Sequence, residues 1–142
     1  MDDCLICERL ALWRQGRNPY VVDEFEQCLF VVGDHQFHRG YCLLLLKEHV
    51  RELHELPEAR ALEVCAEVLR ASRAVVAAFR PWKMNLACYG NAEEHVHWHL
   101  MPRHADDSDR TRNPWRHSAE FKDHLITPER AGEIAALVRR HL

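Results

Sequence analysis

Long apolar runs are absent from this chain of 142 residues, and none approaches the roughly 20 residues that a membrane-spanning helix needs. A basic excess is also missing, because 19 lysines and arginines stand against 22 aspartates and glutamates, with a formal charge of -3. Domains that bind nucleic acid usually carry the opposite bias. These two absences argue against a membrane protein and against a nucleic-acid polymer as partner.

Signals for export and for domain boundaries are missing as well. The N-terminal residues Met1 to Cys4 are acidic, whereas a secretory signal begins with basic residues. No internal repeat, low-complexity tract or Gly/Ser linker divides the sequence. We therefore expect a soluble cytoplasmic protein whose residues 1–142 form one domain, long enough to bury a core without disulfides or a cofactor.

Cysteine is present six times, a number that would suit a disulfide scaffold in a small secreted chain. Four of the cysteines lie within apolar stretches, where a thiol behaves as a small hydrophobic side chain. They are Cys28, Cys42, Cys65 and Cys88. We expect these four to be reduced and structural, which leaves Cys4 and Cys7 to consider for metal binding or redox chemistry.

The periodicity of apolar residues predicts three helical segments. Over residues 58–79 apolar side chains recur three or four apart with charged residues opposite, which indicates a long helix that ends before Pro81. Thr127 as N-cap and Pro128 at the first position indicate a final helix. A short apolar segment at 5–13 predicts one or two helical turns, and the polar, proline-broken segment at 104–117 predicts a loop.

Four strands are predicted from β-forming or alternating residues bounded by turn residues. They lie at 27–32, 41–46, 83–89 and 95–101, and Pro102 is expected to end the last of them. The order along the chain is strands, a long helix, strands and a final helix. That order predicts an α+β fold in which helices pack on an antiparallel sheet.

Three histidines alternate with apolar residues in the last predicted strand. Because successive side chains of a strand point to opposite faces, His95, His97 and His99 would share one face. A solvated face of an edge strand is one interpretation of this pattern. Two others are chemical: imidazole groups bind zinc, and an imidazole can also attack phosphorus to give a phosphoramidate that water hydrolyses.

The residues before the triad favour the phosphorus chemistry. Gly90, Asn91 and Ala92 form a flexible turn whose backbone N–H groups and Asn91 amide can face a phosphate. A phosphate beside a nucleophilic imidazole is the arrangement that nucleotidyl transfer requires. The sequence therefore indicates a nucleotide as the ligand of this region.

Residues 91–103, in which histidine and apolar residues alternate before Pro-Arg, resemble the signature of the histidine triad (HIT) family. Two other segments match in the same order: Gly40 to His49, a glycine followed by an apolar strand and Lys-x-His, and Asn85 within Lys-Met-Asn. The resemblance covers residues 4–103, beyond which a C-terminal loop and helix occupy 104–142. It implies one HIT domain over residues 1–142 with a HIT-like fold, an antiparallel sheet of about five strands packed with the long helix and the C-terminal helix.

The resemblance implies an enzyme, a nucleotidyl hydrolase or transferase that acts on a dinucleoside polyphosphate or a nucleoside phosphoramidate. His97 would attack the α-phosphorus and become transiently nucleotidylated. His99 would hydrogen-bond the phosphate with Asn91 and Ala92 assisting, and Asn85 would lie near the phosphates or the ribose. No organic cofactor is expected. Family members usually form a homodimer in which two sheets join, so a homodimer is expected here.

The chain departs from many family members directly after Gly40, where Tyr41 stands in place of a common histidine. No imidazole can act from that position. A nucleotide-binding regulatory protein with little turnover is therefore the alternative function.

A Cys-x-x-Cys sequence at Cys4 and Cys7 indicates, by itself, a redox pair, a metal site or two unrelated thiols. Some bacterial HIT proteins are similar to this chain in pairing such a sequence with two distant histidines around structural zinc. The matching histidines are His49 and His95. A Cys2His2 set leaves no open position on the zinc, so the implied role is structural. The alternatives are unligated thiols and a module in which all three triad histidines bind one ion.

Trp115 and six of the seven remaining histidines have simpler expectations. Trp115 lies in the loop after the triad and is expected to be a packing tryptophan. Six other histidines have no spacing that favours ligation, and most are expected at the surface: His35, His38, His54, His104, His117 and His124.

Overall fold

The computed structural model describes residues 4–142, so the acidic residues 1–3 that argued against a secretory signal lie outside it. Three α-helices are present: α1 (Leu5–Arg14), α2 (Glu58–Phe79) and α3 (Pro128–Arg139). Two 3-10 segments lie at Leu53–Glu55 and Pro114–His124. No helix within residues 4–142 has both the length and the apolar character that crossing a membrane requires.

Five strands form one antiparallel sheet: β1 (Val21–Glu24), β2 (Cys28–Val32), β3 (Cys42–Leu46), β4 (Lys83–Ala87) and β5 (His97–Arg103). Their spatial order is β1-β2-β3-β5-β4, so the last two strands of the sequence exchange places. The α+β fold with an antiparallel sheet, a long helix and a C-terminal helix is confirmed.

One face of the sheet packs against α2 and α3. The buried side chains of α2 recur with helical spacing, for example Val64, Val68 and Val75, and they meet Phe30 and Leu100 of the sheet. Helix α3 adds further aliphatic residues to the same core. Burial of each large aliphatic side chain contributes roughly 1.5 to 3 kcal/mol, so this layer holds the sheet in place.

The opposite face of the sheet is only partly covered. Helix α1 buries Ile6 and Leu10 against side chains of β2 and β3, including Leu29 and Leu45. All five residues of β2 are buried, as expected for a strand with helices on both faces. The rest of this face, over β3 and β5, is left as the floor of a cleft.

The register of β3 and β5 determines which side chains face the cleft. Leu45 pairs with His97 and Leu43 pairs with His99, and paired residues of antiparallel strands project to the same face. Trp98 and Leu100 alternate with the histidines and pack into the core on the α2 side. Strand alternation therefore delivers His97 and His99 together to the cleft.

Strand β5 differs from its predicted bounds at both ends. It begins at His97, because His95 N donates to the carbonyl oxygen of Glu93 and Val96 N to that of Val50. It continues through Pro102 to Arg103, although the proline was expected to stop it. Strand β3 pairs with β5 only as far as Leu100, so no partner on that side requires an N–H from Pro102.

Strand β1 and both 3-10 segments were missed from the sequence. Strand β1 is four residues long, half of them acidic, and its register shifts between Val21 and Asp23. Such a short irregular edge strand carries no clear alternation. The segment expected to be a loop through residue 117 enters a 3-10 helix at Pro114, where Asn113 accepts a hydrogen bond from the N–H of Trp115.

Candidate functional site

The open part of the sheet forms a cleft of about 470 Å³. On the β5 side it is lined by His97, His99, Trp115 and residues 89–93, and on the β2 side by Asp34 together with Arg9, Asn18 and Tyr20. Apolar side chains of β2 and β3 form its floor. The size and the mixture of an apolar floor with a few polar groups are typical of a small-molecule site.

His97 is held by a hydrogen bond from its own chain. Its Nδ1 lies 2.6 Å from the backbone oxygen of His95. A carbonyl oxygen can only accept, so Nδ1 carries a proton, and in the neutral imidazole Nε2 is the nitrogen with the lone pair. No group among residues 4–142 hydrogen-bonds Nε2. Nε2 of His97 is therefore the ring nitrogen that is available in the cleft.

His99 lies beside His97, with ring centroids 4.7 Å apart. Burial lowers the pKa of His99 to about 3, with smaller contributions from His97 and His35, so the ring is neutral at pH 7. Its Nδ1 is 2.7 Å from the hydroxyl of Tyr41, and the edge of Trp115 packs against it with centroids 4.7 Å apart. The two cleft histidines are thus both anchored through Nδ1.

The other residues expected to bind substrate divide into two groups. Asn91 and Ala92 line the cleft in the turn that precedes the triad, and Gly90 has a φ of 69°, a conformation that favours glycine. Asn85 lies on the edge strand β4, paired with Met101. It shares the sheet face of His99, yet it is not among the residues that line the cleft.

His95 lies outside the cleft, fully buried, and faces a different set of groups. Its Nε2 donates to the backbone oxygen of Leu46 at 2.8 Å, which leaves the Nδ1 lone pair directed at two thiols. Nδ1 lies 3.5 Å from Sγ of Cys4 and 3.6 Å from Sγ of Cys7. His95 is therefore anchored through Nε2, whereas His97 is anchored through Nδ1.

These thiols and two imidazoles form a compact group of candidate metal ligands, the metal cluster. The ligand atoms of Cys4, Cys7, His49 and His95 all lie within 4.8 Å of one another, and Nδ1 of His49 is 3.2 Å from Sγ of Cys7. Cys4 is the N-cap of α1, and its Sγ accepts a hydrogen bond from the N–H of Cys7. Two sulfur and two nitrogen donors at this spacing fit tetrahedral zinc, which needs ligand bonds of about 2.0 to 2.3 Å.

A family model described as the HIT domain matches residues 17–106. This chain belongs to the HIT family. A comparison with curated proteins gave no match. The HIT model covers the cleft histidines and two members of the metal cluster, His49 and His95, but stops short of Cys4, Cys7 and Trp115 at either end.

Solved HIT structures are similar to this chain over most of its length. A Zn-bound histidine triad family protein from Mycobacterium smegmatis is 22% identical, with 99% of this chain and 93% of that one covered and a TM-score of 0.70. A hypothetical histidine triad nucleotide-binding protein from Sulfolobus tokodaii is 19% identical, covering 95% and 91%, with a TM-score of 0.74. A diadenosine triphosphate hydrolase from Plasmodium falciparum is 15% identical, covering 87% and 76%, with a TM-score of 0.67.

Several residues of this HIT site escaped sequence reasoning. Asp34 lies two positions after the end of β2 and pairs with Arg9 of α1, with Arg9 Nη2 2.7 Å from Oδ2 of Asp34. Both line the cleft, as do Asn18 and Tyr20. The sequence offered one signal for Asp34 as a cleft residue: it is an acidic residue shortly after a buried apolar strand. Nothing in the sequence places Arg9 beside it, because the two lie 25 positions apart.

The segment after the triad closes the β5 side of the cleft. Arg103 is almost fully buried and its guanidinium hydrogen-bonds the carboxylates of Asp107 and Asp109 and the backbone oxygen of Arg112. These bonds fold residues 104–113 into a compact turn that leads to Trp115. Trp115 was expected to be ordinary packing, but it contacts His99 and Tyr89 at the cleft.

Two histidines expected at the surface are buried. Nε2 of His38 donates to the backbone oxygen of Pro114 at 3.1 Å, and Nε2 of His104 donates to that of Arg39 at 2.9 Å. Since each partner is a carbonyl, both rings carry a proton on Nε2. Their partners lie 76 and 65 positions away, which no local pattern reveals.

Proposed function

We propose that this HIT protein is a nucleotidyl hydrolase or transferase that acts on the α-phosphate of a nucleoside phosphate. The observation that carries the proposal is the hydrogen bond from His97 Nδ1 to the backbone oxygen of His95, since it leaves Nε2 as the nitrogen that can attack phosphorus in a cleft of nucleotide size. Dinucleoside polyphosphates and nucleoside phosphoramidates are the proposed substrates.

The reaction proceeds in two displacements. Nε2 of His97 bonds to the α-phosphorus while the bond from phosphorus to the leaving oxygen or nitrogen breaks, and the leaving group departs with the electron pair and takes up a proton. Water or another acceptor then attacks the phosphorus, and the N–P bond breaks back to His97. Hydrolysis by water releases a nucleoside monophosphate and a proton.

The neighbouring groups have supporting roles. His99 donates a hydrogen bond to an α-phosphate oxygen, which gains negative charge in the transition state. The backbone N–H groups and the amide of the turn at Asn91 and Ala92 bind the phosphates. Asn85 lies on the edge strand β4, outside the cleft, so it can contact only a part of the substrate that extends as far as β4. The apolar floor contacts the base or ribose of the nucleoside.

A substrate panel with adduct detection tests the enzyme directly. Dinucleoside polyphosphates and nucleoside phosphoramidates are incubated with the wild-type protein and with His97→Asn, and products and covalent adducts are measured. We expect turnover only with the wild type. Nucleotide binding without turnover in both proteins would favour the regulatory alternative that Tyr41 suggested.

We further propose structural zinc held by Cys4, Cys7, His49 and His95. When bound, the metal would cross-link the start of α1 to the segment after β3 and to the segment before β5, and with four protein ligands it would take no part in the chemistry. Metal analysis of the purified protein should give one zinc per chain. Unchanged thermal stability after chelation, with no stoichiometric metal before it, would refute the site.

A homodimer is proposed as the assembly. Strand β4 is an edge of the sheet, and beside it lie exposed apolar side chains of α2 and β4, among them Leu69, Val76 and Leu86. Exposed edges and apolar patches of this kind are usually covered. Light scattering should report a dimer for the wild type and a monomer for Leu86→Lys.

A further inference from the structure

Tyr41 occupies the position at which many HIT proteins have a histidine, and it touches the triad directly. We propose that Tyr41 is a positioning residue: its hydroxyl donates a hydrogen bond to Nδ1 of His99 and thereby holds the Nε2–H of His99 toward the phosphate. The proposal rests on the nucleotidyl chemistry proposed above. It gives Tyr41 a role in that chemistry, although Tyr41 lacks the imidazole that many family members have at this position.

The direction of the hydrogen bond follows from the available partners. The hydroxyl oxygen of Tyr41 is 2.7 Å from Nδ1 of His99, and only 6% of Tyr41 is exposed. Among residues 4–142 no second group hydrogen-bonds this hydroxyl. If Nδ1–H donated to the oxygen, the phenol proton would be left without an acceptor in the protein, which is unfavourable for a buried hydroxyl. Donation from the phenol to the Nδ1 lone pair leaves neither group unsatisfied.

The protonation states agree with this direction. Burial raises the pKa of Tyr41, and the nearby carboxylate of Asp34 adds to the shift, so the phenol keeps its proton. His99 stays neutral because its pKa is depressed. A neutral imidazole that accepts at Nδ1 carries its proton on Nε2. The other tautomer would turn a lone pair, rather than a donor, toward a phosphate oxygen.

The position of Tyr41 is itself tightly determined. His35 stacks on its ring with centroids 4.7 Å apart, and Phe121 of the C-terminal segment stacks on the other face of His35 at 4.2 Å. Gly33 lies against the ring where a Cβ would overlap it, and Gly33 N donates to the backbone oxygen of Tyr41 at 2.9 Å. Gly40, with a φ of 88°, sets the turn that precedes Tyr41.

The ring of His99 is restrained on its other sides as well. It lies within 8° of parallel to the ring of Tyr41, and Trp115 and His97 each meet it nearly edge-on. These contacts limit translation of the ring, but none of them distinguishes Nδ1 from Nε2. The tautomer and the flip state of His99 are therefore specified by the Tyr41 hydroxyl.

Tyr41→Phe tests the proposal because it removes only the hydroxyl and keeps the stack with His35. Proton–nitrogen NMR of the ligand-free protein with labelled histidine reports the tautomer of His99 without any need for turnover. We expect Nε2–H alone in the wild type and a mixture of tautomers in Tyr41→Phe. A single unchanged Nε2–H tautomer in the variant would overturn the proposal. Thermal melting establishes that the variant is folded.

Kinetics and binding supply the second readout. We expect the rate of nucleotidyl transfer in Tyr41→Phe to fall by about 10- to 100-fold, the range for loss of a partner that orients a functional histidine, with KM changed far less. Tyr41→His restores a donor and should recover most of the rate, which a purely structural role would not explain. A tautomer change with an unaltered rate would overturn the role in catalysis.

Failure of the proposed function gives a different pattern. If the wild type shows no turnover with any substrate while NMR shows the Tyr41-dependent tautomer, the enzyme assignment fails and the positioning role is judged by the Kd of a nucleoside monophosphate. Weaker binding by Tyr41→Phe, by about tenfold, would support it. Equal binding by the two proteins would overturn it.

Discussion

His95 and His97 lie two positions apart in one segment, yet they belong to regions with opposite properties. The region of His95 is closed: the ring is fully buried, Nε2 is bonded to Leu46, and Nδ1 faces the thiols of Cys4 and Cys7. The region of His97 is an open cleft, with Nδ1 bonded to a carbonyl and Nε2 available. The choice of anchored nitrogen therefore determines whether the other ring nitrogen of each imidazole faces the two thiols or the cleft.

The cleft depends on the region of His95, but the region of His95 does not depend on the cleft. The backbone oxygen that fixes Nδ1 of His97 belongs to His95, whose side chain lies in the metal cluster. Damage to the cluster can thus displace the support of His97. Loss of the His97 ring removes nothing that the cluster needs. We expect perturbations to propagate from the metal region to the cleft and not the reverse.

The largest effect is expected from His97→Asn. Removal of the nucleophile should lower turnover at least about a thousandfold, while zinc content and Tm stay at the wild-type values. Steady-state rates, metal analysis and thermal melting measure the three quantities. Near-normal turnover in His97→Asn would show that another group attacks phosphorus.

Cys4→Ser should damage both regions. Loss of a zinc ligand is expected to cost at least about 3 kcal/mol, or roughly 6 to 12 °C in Tm, and to lower turnover as the support of His97 shifts. Cys65→Ser is the matched control, since Cys65 is a thiol outside the cluster. Equal Tm values and equal zinc content in the two variants would contradict the metal assignment.

His95→Ala and His99→Ala separate the two kinds of histidine. His99→Ala should lower the transfer rate by about 100-fold through loss of a phosphate donor, with zinc retained. His95→Ala should lose zinc and stability. If His99→Ala also lost the metal, the result would favour the alternative in which all three triad histidines bind one ion.

A smaller effect is expected on acid stability. The pKa of His99 is about 3 in the folded protein and near 6.5 in the unfolded chain, so between these values the unfolded state binds more protons. Stability should therefore fall as pH falls from 6.5, by up to about 1.4 kcal/mol per pH unit from this group. His99→Gln should flatten that part of the curve measured by chemical denaturation. An unchanged slope would mean that His99 is protonated in the folded protein.

Local patterns were enough to predict much of this molecule. The bounds of α2 follow from apolar residues three or four apart, and strand alternation places His97 and His99 on one face. The four members of the metal cluster, named from the family resemblance, do lie together. Each of these features depends on spacing within a segment or on a recognisable motif.

Contacts between distant segments could not be predicted in this way. Tyr41 and His99 lie 58 positions apart, and the Arg9–Asp34 pair depends on how α1 crosses the sheet. Asn85 projects to the same face of the sheet as His99. However, β4 is the outermost strand, so the residue lies away from the cleft. The exchange of β4 and β5 in the sheet order is a tertiary property that alternation does not encode.

The central claim is that His97 Nε2 forms a bond to phosphorus, and trapping that bond tests it most directly. The wild type is quenched during turnover of a nucleoside phosphoramidate, and the denatured protein is digested and mapped by mass spectrometry. We predict a nucleotidyl group on His97 that is absent from His97→Asn. Turnover accompanied by an adduct on another residue, or by none at all while His97→Asn remains active, would contradict the claim.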